Sequence, residues 1–324
     1  MALKHIKVLP QADGGDSSVL LPSDWNADHI VDSSGMLMVR GTSDPSAPAT
    51  DRLLFYAKKV AGRSVPKILG PSGIDAMLQN FVGQDKVSMW SPCGNATTVS
   101  TLFGGAQVFT AVGTATVRSV ATTRFFTRLK RLGYVSATTA GSLTSIRTAQ
   151  AQYTLGVPGT PDMGGFFLVM RFGISDAATV SDARMFAGMW ATTTAPTNVE
   201  PSTLVNCIGI GHGAADANMK LFYGGSAAQT PIDLGANFPK NTLSVDVYEL
   251  ILFASPKSNN SVGYKVTRLN TGHTAEGTLT AATPGTQLPL NTTLLSGPII
   301  WRCNNASALA VAFDFISAYI STDQ

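Results

Sequence analysis

Ala308-Leu309-Ala310-Val311-Ala312-Phe313-Asp314-Phe315 places a large apolar side chain at every second position, with alanine or aspartate between. Period two is the repeat of an extended strand, whose successive side chains point to opposite faces, so the four large residues share one face. So close to the C-terminus, such a strand belongs inside a sheet and is not a tail. Further back, Gly164-Gly165-Phe166-Phe167-Leu168-Val169-Met170-Arg171-Phe172 is almost continuously apolar, as expected of a strand buried on both faces. Gln107 to Arg118 alternates apolar with small or polar residues, and Arg184–Trp190, Leu204–Ile210, Met219–Tyr223, Val245–Phe253, Val262–Leu269 and Ile299–Cys303 read as further strands. Glycine, proline, asparagine and serine punctuate the gaps between them. About ten strands in this order predict an all-β chain ending in a β-sandwich of jelly-roll type. Only Ile74–Val82 and Phe125–Leu132 read as briefly helical. No internal repeat of solenoid or propeller length is visible.

Composition agrees. The 324 residues are 44% hydrophobic, enough for a core, and only 13% charged, against about 25% in an average domain. Thirty-one glycines and 17 prolines favour turns over helices. The longest apolar runs are far shorter than the roughly 20 residues of a membrane-spanning helix, so no membrane span is expected. Met1-Ala2-Leu3-Lys4-His5-Ile6-Lys7 has early charge without an apolar stretch behind it, unlike a secretory leader. Cys93, Cys207 and Cys303 are far apart and odd in number; they read as buried apolar residues of a protein made in a reducing cytosol. The formal net charge of +3 is too small for the usual nucleic-acid footprint.

The chain changes character near residue 85. Residues 1–85 hold 8 Lys/Arg and 9 Asp, with prolines at Pro10, Pro22, Pro45, Pro48, Pro66 and Pro71. Short strand-like pieces, Met36–Arg40 and Leu53–Ala57, are separated by turn clusters such as Gly41–Pro45. Strands this short have too little side-chain area to fold alone. The expected organisation is an N-terminal arm over residues 1–35, a short-strand β region over 36–85 and the sandwich over 86–324.

The usual catalytic patterns are missing. His5, His29, His212 and His273 show no spacing that would put two imidazoles on one metal. No G-x-S-x-G elbow occurs. Gly209-Ile210-Gly211-His212-Gly213 is glycine-rich but leads toward another strand, not into the helix a phosphate loop requires, and reads as a tight inter-strand connection. Asp24-Trp25-Asn26-Ala27-Asp28 begins like a calcium loop, but His29 and Gly35 stand where Gly and Glu belong. Asp246 and Glu249, an odd number apart, would face opposite sides of a regular strand. The expectation is a non-enzymatic protein with no catalytic residues, no cofactor and no metal.

Between Lys86 and Pro161 there is no Asp or Glu, while seven cations occur. Five of them, Arg118, Arg124, Arg128, Lys130 and Arg131, are interleaved with Phe125 and Phe126. They read either as a patch for an anionic partner (lipopolysaccharide phosphate, an acidic polysaccharide, an acidic neighbour subunit or, least favoured, nucleic acid), or as a solvated face whose cations meet acids from elsewhere in the fold or line a subunit contact. Trp190 and Trp301 fall within or beside strand patterns and read as core, and Trp90 reads as packing at the domain junction.

Pro22-Ser23-Asp24-Trp25-Asn26-Ala27-Asp28-His29 resembles a "PSDWNxxH" element found near the start of many tailed-bacteriophage structural and fibre proteins. Leu53-Leu54-Phe55-Tyr56-Ala57-Lys58-Lys59-Val60-Ala61-Gly62-Arg63-Ser64-Val65-Pro66, followed by Gly70-Pro71-Ser72-Gly73, is similar to the "LYAK…GR…P…GxxG" element of tail-fibre and baseplate-associated proteins, and the order of the two agrees. The resemblance covers about residues 20–75. It implies a virion component, synthesised in the host bacterial cytoplasm, in which the second element forms interlocking β-layers of a homotrimer. Trp25, Leu53, Phe55, Tyr56 and Pro66 are then trimerisation and anchor positions. The implied role is a tail-fibre or baseplate component that touches the host surface, in contact with other virion proteins and a host surface glycan or lipopolysaccharide. The alternatives are a capsid decoration or head-fibre protein and, third, a polysaccharide-degrading tailspike enzyme.

Overall fold

The computed structural model describes residues 2–3, 29–30, 44–49, 52–69, 75–77, 87–103, 109–159 and 163–322. Trp25 and Met36–Arg40 lie outside them. The chain divides into two compact units, Met1–Lys58 with Pro66–Leu78, and Lys59–Val65 with Gln79–Gln324. The division therefore falls a few residues before the expected position near 85, and seven residues of the second anchor element belong with the sandwich.

In the first unit, β1 (Ala2–Leu3) pairs with β2 (His29–Ile30), and β3 (Leu54–Val60), β4 (Arg63–Leu69) and β5 (Asp75–Met77) form a three-stranded sheet whose hairpin tip is counted with the second unit. The turn between β3 and β4 has Ala61 at φ 49° and Gly62 at φ 85°. Two successive positive φ values are the signature of a two-residue hairpin turn whose twist matches its strands. Asp75–Met77 is strand, where the sequence reads as helical.

The second unit is a two-sheet antiparallel sandwich of jelly-roll type. Its strands are β6 (Val87–Pro92), β7 (Val99–Phe103), β8 (Phe109–Val112), β9 (Thr114–Val117), β10 (Leu132–Val135), β11 (Leu143–Thr148), β12 (Phe166–Ile174), β13 (Arg184–Trp190), β14 (Cys207–His212), β15 (Lys220–Gly224), β16 (Ile232–Asp233), β17 (Tyr248–Ala254), β18 (Ser261–Arg268), β19 (His273–Thr280), β20 (Ser296–Cys303) and β21 (Ala312–Ser321). One sheet runs β19-β18-β17-β12-β21-β10-β9, with β6 and β7 attached through β21; the other runs β16-β15-β14-β13-β20-β11-β8.

The stretch read as one strand from Gln107 to Arg118 is shared between the sheets. β8 edges the seven-stranded sheet and β9 the nine-stranded one, and Gly113 at φ 87° turns the corner between them. A β-carbon at Gly113 would lie 2.6 Å from both Thr144 Oγ1 and the Val135 carbonyl, so only glycine fits this bend.

Strand β21 holds the nine-stranded sheet together. One edge pairs with β12 from end to end; the other pairs with β10 over Ala312–Phe315 and with β6 over Ala318–Ser321. A register shift opposite Arg171/Phe172 leaves Ile316 as an extra residue. This bulge reverses the alternation. Phe313 and Phe315 face the core before it, Ala318 and Ile320 after it, and Ile316 packs on the other side with Phe126 and Val247. The strand begins later than its sequence pattern. Leu309 is exposed in a turn held by Asn304 Nδ2, which donates to its carbonyl at 3.0 Å. Val311 packs separately with Val180 and Ala183.

Between the sheets lies one continuous core, including Phe166, Leu168, Met170 and Phe172 of β12 and Ile208 and Ile210 of β14. Trp90 belongs to it, fully buried and stacked on Phe109 with ring centroids 5.4 Å apart, so it is a core residue and not a junction one. Both sheets also bury part of their outer faces. Phe167 and Ile251 lie under Val60, Ala61 and Val65 of the hairpin tip. Phe186, Ile299, Trp301 and Cys303 lie under Leu204 and Val199. Each large side chain so covered contributes about 1.5–3 kcal/mol, which accounts for the nearly unbroken apolar runs in β12 and β20. Cys207 and Cys303 are buried as expected, whereas Cys93 is partly exposed and hydrogen-bonded to Ser100.

At one end of the sandwich a buried ionic network joins the sheets. Arg302 on β20 donates through Nε to Asp176 Oδ1 (2.9 Å) and through Nη1 to His212 Nε2 (2.7 Å). Asp176, which follows β12, also accepts the Ala312 N–H at 2.7 Å and the Asn241 side-chain amide at 2.9 Å. His212 Nδ1 sits 3.2 Å from the Gly213 carbonyl. Nδ1 therefore carries the proton and Nε2 accepts from the guanidinium, which fixes a neutral ring. Burial, and then the charge of Arg302, hold its pKa well below the ordinary 6.5. Below pH 6.5 the unfolded chain takes up a proton that the folded chain refuses, so stability falls there with a slope of up to about 1.4 kcal/mol per pH unit. Thermal melting from pH 7 to pH 5 is expected to show this decline in the wild type and a smaller one in His212→Gln; equal slopes would show that His212 does not set it.

Candidate functional site

The five cations of the basic segment separate into two groups. All lie on or beside the connection from β9 to β10, residues 118–131, which includes a single helical turn at Phe125–Arg128. Arg118 and Arg131 serve the fold. Arg118 Nε donates to Asp314 Oδ1 at 3.0 Å and Arg131 Nε to Asp314 Oδ2 at 2.9 Å, while Ser175 Oγ donates to Oδ1 at 2.6 Å. The Asp314 side chain is 1% exposed.

Local sequence makes room for this arrangement. Asp314 is flanked in register by Gly133 on β10 and Gly173 on β12. A β-carbon at Gly133 would lie 2.3 Å from Arg118 Nε, and one at Gly173 would lie 2.0 Å from the Phe126 ring. The guanidinium and the ring occupy the space that side chains at those glycines would fill.

Arg131 also shapes the loop above it. Its Nη1 lies 3.0 Å from the Thr127 carbonyl, 3.2 Å from that of Leu129 and 3.4 Å from that of Ser119, and its guanidinium stacks 5.0 Å over the buried Phe126 ring. Thr127 Oγ1 accepts the Arg124 N–H at 3.2 Å, and the Ala121 N–H donates to the Thr127 carbonyl at 2.9 Å. A loop bound so many times to itself and to the sheet holds its outward side chains in place.

Those outward side chains are Arg124, Arg128 and Lys130, all exposed. None forms an ion pair with a described residue. Beside them in sequence, Val120 is 63% exposed and Phe125 44% exposed. The result is a fixed cluster of three unpaired cations alongside apolar surface. It can attract anions and cover the flat face of an attached ring or chain.

Asp246 and Glu249 are engaged elsewhere. Arg268 and Asn270 bind Asp246 Oδ1, each at 2.7 Å, and Arg171 binds Glu249 directly across the β12–β17 ladder at 2.7 Å. Asp246 lies before β17 and Glu249 within it, and each is held by a different arginine. Gly209, Gly211 and His212 lie in β14 and the chain turns only at Gly213. β-Carbons at Gly209 and Gly211 would lie 2.4 and 1.9 Å from carbonyls of β13, so these glycines serve close strand approach. In the N-terminal unit, Leu53 and Phe55 are 60% and 57% exposed, Pro66 is exposed and Tyr56 half-buried.

Asp314→Ala leaves two cations without their anion, one of them almost buried, and is expected to cost about 3 kcal/mol and to speed tryptic cleavage at Arg124 and Arg128. Arg124→Ala, at an exposed unpaired position, is expected to change stability by less than about 0.5 kcal/mol. Urea unfolding of both variants checks the contrast.

No family model matches the sequence, and no curated protein does. Among solved structures, the chain is similar to lectin II from Ulex europaeus, with 12% identity over 74% of this chain and 100% of that one and a TM-score of 0.46. It is similar to peanut lectin, with 11% identity over 73% and 98% and a TM-score of 0.45. A carbohydrate esterase from a Shiga toxin-encoding bacteriophage shows 15% identity over 67% and 90%, with a TM-score of 0.38. Similarity at this level concerns strand arrangement alone.

Proposed function

We propose that this is a non-enzymatic structural protein of a tailed-bacteriophage virion, a tail-fibre or baseplate component that touches an anionic host-surface glycan through the β9–β10 loop. The observation that carries the reading is the trio Arg124, Arg128 and Lys130, exposed, unpaired and set beside Phe125 on a loop braced by the Asp314 network. Long-range attraction brings a polyanion to such a patch, and the exposed Phe125 ring and Val120 give a sugar face something to lie on. Phosphate groups of lipopolysaccharide and carboxylates of acidic polysaccharides are the chemistry that fits.

The virion assignment rests on the resemblance of residues 20–75. The exposed Leu53 and Phe55 support its trimeric part, since an apolar strand face open to water in one chain is covered when copies associate.

Replacing Arg124, Arg128 and Lys130 together by glutamine is expected to weaken binding to host cells and to purified lipopolysaccharide at least about tenfold, as charge-assisted contacts are lost, with the melting temperature preserved. Wild-type binding is expected to fall as salt rises. Unchanged binding by the folded triple variant would leave the loop as a solvated face. Light scattering is expected to give three times the 33.9 kDa chain mass, and replacing Leu53 and Phe55 by serine is expected to release monomers; a wild-type monomer at micromolar concentration would overturn the trimer.

A further inference from the structure

The outer face of the seven-stranded sheet carries three buried polar groups that find no partner among the described residues. Ser145 on β11 and Trp301 on β20 stand directly opposite each other in the ladder. Arg147 lies two residues further along β11, on the same face. Ser145 and Trp301 are fully buried and Arg147 is 8% exposed. Ser145 Oγ, Trp301 Nε1 and Arg147 Nη1 make no hydrogen bond with a described residue.

Arg147 is the informative member. Its Nε donates to the Thr193 carbonyl at 2.9 Å, but no described carboxylate pairs with it. The sandwich's other well-buried arginines are different: Arg302 and Arg131 each hold an aspartate. A guanidinium this far out of water without an anion is costly, and native folds pair such charges. The sequence offers no local remedy, since no acid occurs between Lys86 and Pro161. Burial pulls the pKa of Arg147 below its usual value, the direction expected of an uncompensated cation.

The unmet groups share a direction of demand. Arginine and tryptophan nitrogens only donate, and the serine hydroxyl has a proton to give. A water offers two lone pairs, whereas a carboxylate or sulfate offers at least four acceptor sites. Access is at hand because Arg147 pairs in register with Thr110 on β8, an exposed position on the edge strand. The stretch from Trp190 to Asn198, which includes Thr193, is tied at both ends. Ser296 Oγ lies 2.9 and 2.6 Å from the carbonyls of Trp190 and Thr192, and Arg184 holds Asn198 at 2.6 Å.

We propose that Arg147, Ser145 and Trp301 form a second binding site, which takes one carboxylate or sulfate group, such as that of an acidic sugar, at the β8–β11 edge of the seven-stranded sheet. It lies on the opposite sheet from the basic loop, and the inference does not depend on the function proposed for that loop.

The test is calorimetric titration of the full chain with sodium glucuronate and, separately, sodium sulfate, at constant ionic strength. Saturable uptake at one site per chain is expected for at least one of the two, and which one identifies the preferred anion. Trp301→Phe keeps the ring and removes one N–H, Ser145→Ala removes the hydroxyl, and each is expected to weaken uptake about tenfold; Arg147→Met is expected to abolish it. The Arg124/Arg128/Lys130 glutamine variant is expected to bind as the wild type. If Arg147→Met does not fold, Trp301→Phe and Ser145→Ala decide. No saturable uptake by the wild type, wild-type affinity in both of those variants, or loss of uptake only in the loop variant would overturn the site, as would a high-resolution structure from glucuronate- or sulfate-soaked crystals with water alone at Arg147 Nη1.

Discussion

The nine-stranded sheet depends on one strand with three partners. β21 is bonded along one edge to β12 and shares its other edge between β10 and β6, so strands from the beginning, middle and end of the sandwich meet on it. A regular strand could not serve, because a strict period of two would turn one half of its large side chains away from the core. The bulge at Ile316 resolves this by adding a residue. Ahead of the change of phase, Asp314 and Ile316 lie two residues apart on the outer face. Asp314 gathers Arg118 and Arg131, Ile316 packs with Phe126, and together they fasten the β9–β10 loop. The loop that carries the exposed cations is thus braced by a strand far away in the sequence.

Charge in this sandwich is sparse and mostly committed. Asp314, Asp176 and Asp246 are each buried and each held by arginine, and the first two tie together strands distant in the chain. Burying such pairs yields little net stability, but leaving either partner alone is expensive. The exceptions therefore stand out. At the surface, Arg124, Arg128 and Lys130 are unpaired at little cost, because water solvates them. Beneath the opposite face, Arg147 meets no carboxylate among the described residues where water is nearly excluded. The first group fits reversible contact with a polyanion, the second a single acidic group held closely.

Much of the architecture was legible in the residues. The alternation around Phe313 and Phe315 and the apolar run of Phe166–Phe172 specify strands through the geometry of side-chain direction, which is local. Where the reading missed, the missing information was non-local. Leu309 fits the alternation but lies in a turn set by Asn304. Trp90 sits beside Ser-Pro-Cys-Gly, yet β6 pairs with the far end of the chain and carries it into the core. Thr-rich β19 was not recognised, because an edge strand open to water needs no apolar face. The helical reading of Phe125–Leu132 shrinks to one turn, since Leu132 is claimed by pairing with Phe315.

The cation-rich segment shows the same division. The amino-acid sequence by itself determined that the six arginines and lysines from Arg118 to Arg147 would find no acid near them along the chain, and that the strands around them would stack into a sandwich. Only the tertiary structure decided that Arg118 and Arg131 meet Asp314, that Arg124, Arg128 and Lys130 stay in water, and that Arg147 is buried alone. Side-chain alternation is written into neighbouring residues, whereas the partner of a charge is chosen by which distant strands come together.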